Sequence, residues 1–253
     1  MDWTDDAIVL SLRAHGETSA ILEALTREHG RHLGLVRGGA SSKRRAVLQP
    51  GNTVRVQWRA RLSEHLGTFT CEPVRLRAGD MFETRAALIG LNAFTAVASA
   101  VLPEREAHTP AFEDGEYVLE IMAGHGIEEW GRAFVRWELA LLEELGFGLD
   151  LSTCAGTGTT ENLIYVSPRS GRAVSAEAGK EYRDKLLPLP AFLFEETRTP
   201  VSPEDLADAL KLTAYFQPLG AGAARQNDPG TAPPPRRSSL IPKRQRIGLI
   251  IWG

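Results

Sequence analysis

The segment from Gly34 to Arg45, GLVRGGASSKRR, places cationic side chains among glycines and serines and is well suited to bind a polyanion. Arginine guanidinium groups bind phosphate oxygens in a bidentate manner and stack on bases, and small residues keep a loop backbone flexible. The segment is not a nucleotide-binding P-loop, because that motif requires G-x-x-x-x-G-K-[ST] and here Lys43 lies between Ser42 and Arg44. SSKRR is too short to indicate a nuclear localisation signal. A mobile, solvated loop that binds nothing is the alternative.

A second group of cations follows in NTVRVQWRARL. The period of two in this stretch indicates a strand, with Val54, Val56 and Trp58 on its buried face and arginines on the opposite face. Trp58 could stack on a base, but its phase with the two valines favours core packing. If this strand lies beside the Gly34–Arg45 segment, both groups of cations line one groove. The candidate nucleic-acid-binding residues are therefore Arg37, Lys43, Arg44, Arg45, Arg55, Arg59 and Arg61.

The sequence contains no set of residues that predicts an enzyme. Adjacent acids such as Glu143 and Glu144 diverge on a helix, residues 155–161 (AGTGTTE) lack the third glycine of a dinucleotide fingerprint, and neither G-x-S-x-G nor H-E-x-x-H is present. His29 and His32 have a spacing that could hold a metal ion, but no third ligand is evident, and we interpret both as exposed turn residues. We expect no catalytic residue, no metal and no cofactor.

Charge is distributed unevenly along the 253 residues, although the net charge is only −3. Residues 1–80 carry 12 Lys and Arg against 9 Asp and Glu, residues 81–216 carry 11 against 22, and residues 217–253 carry 6 against 1. A basic region in an otherwise acidic chain is expected when one face binds a polyanion and another binds a different partner. Cys71 and Cys154 form no motif and no apolar run approaches 18 residues, so we expect a cytoplasmic protein without a membrane segment.

Five short strand patterns separated by glycine-rich turns predict a small barrel of the oligonucleotide-binding (OB) type. Beyond Gly79, apolar residues recur every three or four positions, which indicates helices. The clearest helices cover residues 127–145 and a segment that begins with Ser202 as cap and Pro203 in the first turn. The predicted fold class is α+β multidomain: a five-stranded OB-fold β-barrel in residues 1–80, an all-α domain in residues 81–216 with a loop insertion near residues 150–175, and a disordered, basic, Pro/Gly-rich tail in residues 217–253.

Several longer stretches occur in the order typical of one protein family. The opening DDAIVLSLRAHGETSAILEALTREHGRHLGLVRGGASSKRR, then LQPGNTVRVQWRARL, FVRWELALLEELGFGLDLSTCA and LIYVSPRSGRAVS, resemble the RecO family of bacterial DNA repair proteins over about residues 1–216. The resemblance implies an OB-fold domain, a helical domain and no enzymatic turnover. It also implies a nucleoid-associated recombination mediator that binds single- and double-stranded DNA and anneals complementary strands. The implied protein partners are RecR, single-stranded-DNA-binding protein and, indirectly, RecA, which such mediators help to load onto coated single strands.

The chain departs from this family in two places. Some members carry a four-cysteine zinc motif that begins where Cys154 stands, but position 157 is a threonine here and the following region supplies no cysteine. We therefore expect no zinc, with packing holding these loops instead. The family also usually continues as a helix to its C-terminus, whereas this chain becomes rich in proline and arginine after Phe216.

Partner binding is expected in the helical domain. The resemblance implies a groove there for the acidic C-terminal tail of single-stranded-DNA-binding protein, and Arg132 and Arg136, one helical turn apart, are our candidates for its charged rim. The alternative is that both arginines form exposed ion pairs with Glu128, Glu129 or Glu138. For the whole chain, the alternative function is an RNA- or ribosome-associated factor, because OB barrels bind both nucleic acids.

Overall fold

The computed structural model describes residues 1–194 and 201–217. The chain divides into two compact units, the first from Met1 to Trp130 and the second from Gly131 onward. This division falls inside a helix rather than near residue 80, and the predicted domain limits of 1–80 and 81–216 stay a prediction. The predicted disordered tail lies, beyond Gln217, outside the described residues.

The first unit begins with a closed five-stranded barrel. Its strand order is β1-β2-β3-β5-β4, and β1 completes the ring by pairing with β4. All neighbouring strands are antiparallel except β3 and β5, which meet in parallel at one residue pair, Leu35 and Thr68. The α+β class with an N-terminal OB-like barrel is therefore confirmed. The strands are β1 Asp2–His15, β2 Ser19–Thr26, β3 Gly30–Val36, β4 Thr53–Arg59 and β5 Thr68–Arg75.

Alternating apolar side chains fill the interior of the barrel. The predicted buried face of β4 is confirmed, since Val54, Val56 and Trp58 join Phe69 and Cys71 of β5 in one buried cluster. Strand β1 differs from the simple alternation, because four consecutive residues, Ala7, Ile8, Val9 and Leu10, are all buried. The side chain of Ile8 points out of the barrel and lies against a helix of the same unit, at 3.5 Å from the Cβ position of Gly115. One strand is thus covered on both faces.

Seven α-helices occur in the described residues. Three begin with the side-chain caps that their sequences favour: Thr84 Oγ1 accepts a hydrogen bond from Ala87 N at 3.1 Å, Ser175 Oγ accepts one from Ala178 N at 3.3 Å, and Ser202 Oγ accepts one from Asp205 N at 3.0 Å. The predicted helix start at Ser202 and Pro203 is confirmed, and the predicted helix 127–145 is found within one residue. The helices are α1 Ser42–Val47, α2 Ala78–Met81, α3 Arg85–Val101, α4 Thr109–Gly124, α5 Ile127–Glu144, α6 Ala176–Gly179 and α7 Pro203–Phe216.

The second unit also contains a small antiparallel sheet that the sequence prediction missed. Strands β6 Leu163–Val166, β7 Ala173–Ser175 and β8 Leu187–Pro188 lie in the order β7-β6-β8. The predicted all-α domain with a loop insertion is corrected in this respect. The physical reason is length, because strands of two to four residues are too short for an alternating pattern to distinguish them from a loop.

The region around Cys154 is held without further cysteines. Cys154 is buried in a cluster with β6, β7 and α7, and its sulfur accepts a hydrogen bond from Ser175 N at 3.3 Å. The hydroxyl of Ser175 lies 3.5 Å from the same sulfur and also accepts a hydrogen bond from Ala178 N. Packing in this cluster and hydrogen bonds on the sulfur hold these loops in the structure.

Candidate nucleic-acid interface

The Gly34–Arg45 segment is an ordered turn that leads into a helix. Gly38 adopts a φ of 69°, and the turn is closed by a hydrogen bond from Gly39 N to Val36 O at 3.2 Å. Ser41 then donates its backbone N–H and its hydroxyl to Gly38 O, and α1 begins at the next residue. The prediction of a flexible loop is wrong, because SKRRAV contains good helix formers and no helix breaker.

Helix α1 displays its cations to solvent. None of its residues is buried, and Lys43, Arg44 and Arg45 are all exposed. The helix lies between β3 and β4 in sequence, and Arg44 Nη1 donates to Cys71 O of β5 at 3.4 Å. The guanidinium of Arg44 is therefore hydrogen-bonded to the barrel, whereas the side chains of Lys43 and Arg45 form no such bond with the described residues.

A buried amide fixes the C-terminal end of α1. Asn52 Nδ2 donates to Ala46 O at 3.2 Å and to Val47 O at 3.0 Å. Its Oδ1 accepts from Arg77 N and Ala78 N, both at 2.9 Å. Asn52 is only 2% exposed, so these four bonds satisfy a side chain that water does not reach. Sequence analysis missed this residue, and no signal within a single loop asparagine reveals such a role.

Arg77 continues the network from the barrel to helix α4. This arginine is buried, and its guanidinium donates to Gly51 O, to Thr53 Oγ1 and to the carboxylate of Glu116 on α4. A buried charge requires such partners, because an unpaired ion away from water is strongly destabilising. The end of α1 and helix α4 are thus connected through Asn52 and Arg77.

Two of the seven predicted cations are paired with acids of the neighbouring strand. Arg55 donates Nε and Nη2 to the two carboxylate oxygens of Asp6 at 2.9 and 3.1 Å, which raises the pKa of Arg55 above its ordinary value. Arg59 Nε lies 4.0 Å from Asp2 Oδ2. Both acids occupy the register positions on β1 that are opposite these arginines. The outward arginines of β4 are exposed as predicted, but each faces an acid that offsets its charge, closely for Arg55 and more distantly for Arg59.

Apart from Arg44, whose guanidinium donates to Cys71 O, the remaining predicted cations keep their charge available. Each is exposed, and none forms a hydrogen bond or an ion pair through its side chain with any residue that the structure describes. A phosphate group can thus bind to them without displacing a carboxylate. We refer to these four residues as the free cations: Arg37, Lys43, Arg45 and Arg61.

The two tryptophans and the one phenylalanine of the barrel lie in one cluster. Trp3 and Trp58 stack with ring centroids 5.6 Å apart, and Phe69 meets Trp3 edge-on at 6.0 Å. His32 is buried against Trp58 at 5.0 Å, and His29 stacks on Trp3 at 4.1 Å. The core position predicted for Trp58 is confirmed, and its Nε1 donates to Leu66 O at 3.1 Å.

The prediction that both histidines are exposed turn residues is wrong for His32, whereas His29 does lie in the turn between β2 and β3. His32 belongs to β3 and is 4% exposed, and His29 is half-buried with Nδ1 2.9 Å from Asp5 Oδ2. The alternation of β3 turns His32 inward because its neighbours Arg31 and Leu33 face outward. Within the described part of the chain, no group of three or more His, Cys, Asp or Glu residues could hold a metal ion.

A second candidate surface lies within the second unit. A groove of about 420 Å³ is bordered by Arg136, and its apolar lining includes Leu139 on α5 and Phe194. Arg136 Nη2 lies 3.5 Å from Phe192 O, and the guanidinium of Arg132 lies over the Phe192 ring at 5.8 Å. Arg136 thus reaches the groove, whereas Arg132 packs on the aromatic residue beside it. The groove is lined by Arg136, Leu139, Ala140, Glu143, Leu149, Leu151, Leu193 and Phe194.

Glu138, one of the acids considered as a partner for these arginines, is buried. Its two carboxylate oxygens accept hydrogen bonds from Thr213 Oγ1 at 2.5 Å and from Gln217 Nε2 at 3.2 Å. This acid therefore ties α5 to the end of α7.

Among the helices of residues 1–194 and 201–217, none has the length and apolar character needed to span a membrane.

Comparison with known proteins decides the family. The profile described as "Recombination protein O N terminal" matches residues 1–77, and "Recombination protein O C terminal" matches residues 83–217. The chain belongs to the RecO family. RecO members are non-enzymatic recombination mediators, so this chain is a DNA repair and recombination protein with DNA as a partner.

Individual RecO relatives agree with this assignment over most of their length. The DNA repair protein RecO of Mesorhizobium japonicum is 51% identical over 218 residues, which cover 85% of this chain and 84% of the relative. The RecO proteins of Nitrobacter hamburgensis and Rhizobium etli are 52% and 49% identical over 230 and 234 residues. These alignments cover 88% and 90% of this chain, and 90% of each relative. The family resemblance read from the sequence is confirmed.

Proposed function

We propose that this chain binds single- and double-stranded DNA through the free cations, anneals complementary strands, and helps load RecA onto coated single-stranded DNA. One observation carries the DNA-binding part of this proposal. The free cations are exposed on α1 and on the segments that flank the barrel strands, and no carboxylate of the described residues neutralises them. Family membership favours DNA over the alternative of an RNA- or ribosome-associated factor.

Annealing by such a surface needs no catalytic group. Two DNA strands repel each other through their phosphates, and cations that contact both backbones reduce this repulsion. Phosphate contacts hold the strands without reading their sequence, so any complementary pair is a substrate. The protein lowers the electrostatic barrier, and base pairing supplies the free energy.

The groove beside Arg136 is the proposed site for the acidic C-terminal tail of single-stranded-DNA-binding protein. Its lining combines aliphatic residues and Phe194 with one exposed guanidinium, which is the chemistry that an acidic peptide with apolar side chains requires. Glu143 at the same groove would disfavour a peptide carboxylate next to it, and therefore restricts the peptide to the Arg136 side. RecR is proposed as a further partner, and the nucleoid as the location, on family grounds alone.

Annealing of complementary oligonucleotides tests this function with charge-matched variants. We expect Lys43→Ala/Arg45→Ala to slow annealing of bare strands at least tenfold, because two free cations are lost. Arg55→Ala/Arg59→Ala removes the same charge from arginines already paired with acids, so its rate should stay within about twofold of wild type. Equal slowing by the two double variants would contradict the assignment.

Strands coated with single-stranded-DNA-binding protein separate the two proposed sites. Arg136→Ala should leave annealing of bare strands unchanged and slow annealing of coated strands, because only the latter needs the groove. If coated and bare strands respond equally to this change, the groove does not bind the coating protein.

A further inference from the structure

The barrel presents no well-exposed tryptophan, tyrosine or phenylalanine ring on which a DNA base could stack. Its aromatic residues are Trp3, Trp58 and Phe69, and all of residues 1–77 are described. Trp58 and Phe69 are buried, and the half-buried ring of Trp3 is stacked with His29 at 4.1 Å and with Trp58 at 5.6 Å. Proteins that bind single strands through OB barrels commonly stack bases on exposed aromatic rings. That contact is missing from this barrel.

The outer face of β1, β2 and β3 offers no substitute platform. This face is the usual nucleic-acid surface of an OB fold. Strand register places Arg13 beside Ile21 and Ile21 beside Leu35. In the next row, Glu23 Oε2 accepts a hydrogen bond from Ser11 Oγ at 2.9 Å, and its Oε1 accepts one from Arg31 at 2.8 Å. The aliphatic side chains here offer no aromatic ring, the carboxylate is already paired, and the exposed Arg13 is one more cation for the phosphate backbone.

We infer that the barrel binds only the sugar-phosphate backbone of DNA and leaves the bases unstacked by protein and free to pair. This inference rests on the proposed function and names the part of the ligand that the site recognises. The free cations supply phosphate contacts, which carry no base information. A strand held in this way keeps its hydrogen-bonding edges exposed, whereas a strand stacked on aromatic rings must first be released before it can anneal.

The inference is tested by comparing two single-stranded probes of equal length with the full chain. One is oligodeoxythymidine, and the other is a phosphodiester strand in which every base is replaced by an abasic tetrahydrofuran unit. Binding is followed by fluorescence anisotropy of an end label. We expect dissociation constants within about twofold of each other and equal salt dependence. The Lys43→Ala/Arg45→Ala variant should lose affinity for both probes by the same factor.

Base stacking gives a clearly different result. A single stacked base contributes roughly fivefold or more in affinity. If oligodeoxythymidine binds at least fivefold tighter than the abasic strand, backbone-only binding is overturned, although DNA binding itself still stands. Failure to bind either probe would instead overturn the proposed function and this inference with it.

Permanganate oxidation gives an independent readout, because it attacks the exposed double bond of unstacked thymines. Thymines in the bound strand should react as fast as those in the free strand. Protection of the bound thymines would overturn the inference.

Discussion

Arg45 and Arg55 are indistinguishable as cations in the sequence, but their surroundings in the fold differ. Arg55 lies across from Asp6 on the paired strand, whereas Arg45 stands on a helix that carries no acid. Alternation correctly predicted that the arginines of β4 face outward. It could not predict their neutralisation, because that depends on the register between β1 and β4, and two strands 50 residues apart in sequence do not reveal their register.

Burial of His32 predicts a pH dependence of stability. Desolvation among Trp3, Trp58 and Phe69 lowers the pKa of His32 below its ordinary value, and the charge of Arg105 acts in the same direction. Below about pH 6.5 the unfolded chain binds a proton at this residue that the folded chain does not bind. The free energy of unfolding should therefore fall as the pH falls, by up to about 1.4 kcal/mol per pH unit from this group.

Urea denaturation of wild type and His32→Leu at pH 8 and pH 5.5 measures this contribution. The wild type should lose more stability than the variant between the two pH values, because only the wild type has the buried imidazole. Equal losses in both proteins would show that His32 can take up its proton without cost.

At the scale of elements, the long patterns were predictable and the short ones were not. The barrel strands, α5 and α7 have enough residues to show their period or their cap in the sequence. Helix α1 has only six residues. The glycines and serines that precede it resemble a loop in the sequence, because loops and hydrogen-bonded turns use the same residue types. Strands β6 to β8 were missed for the same reason of length.

The turn between β2 and β3 depends on a glycine that contacts another segment of the first unit. Gly30 has a φ of 70°, and a Cβ atom there would lie 1.9 Å from Glu106 O. Gly16 has a similar φ of 66° but nothing within 4 Å. We expect Gly16→Ala to cost about 1 kcal/mol from backbone strain alone and Gly30→Ala about 3 kcal/mol or more.

The free energy of unfolding of these two variants, measured side by side, separates the two effects. Equal losses would mean that the segment around Glu106 moves away freely and does not contribute to holding the turn.

The anchoring of α1 gives a second prediction at this scale. Asn52→Asp keeps the acceptor for Arg77 N and Ala78 N but replaces the donor to Ala46 O and Val47 O with a second carboxylate oxygen. We expect α1 to lose hydrogen-exchange protection while the barrel strands keep theirs, and DNA affinity to fall severalfold. Gln49→Glu adds the same charge three residues away and serves as the control.

Low pH should partly restore the hydrogen-exchange protection of α1 in the Asn52→Asp variant. If the new charge acted only by repelling DNA, exchange in the free protein would not depend on pH in this way. Once protonated, the carboxyl introduced by Asn52→Asp can donate to one of the two carbonyls, so α1 protection should partly return in free protein. A loss of protection that is uniform over the whole barrel would indicate general destabilisation rather than loss of an anchor.

For the whole molecule, the family and the fold class could be predicted from the sequence, because long stretches in a fixed order identify both. The functional surface could be predicted only in outline. The sequence selects seven cations by residue type and spacing. In the fold three of them have partners, and the four free cations are the strongest candidates for phosphate contacts. The groove beside Arg136 depends on Phe194 and Leu149 meeting α5, and no local pattern in the sequence shows this contact.

The salt dependence of single-strand binding tests the central claim most directly. Each neutralised phosphate contributes about 0.7 to the slope of log affinity against log salt, so four free cations predict a slope near −3. For Lys43→Ala/Arg45→Ala the slope should fall to about −1.4, while Arg55→Ala/Arg59→Ala should keep a slope near −3. Equal slopes for the two double variants, or a wild-type slope near zero, would contradict the account that the free cations hold the DNA.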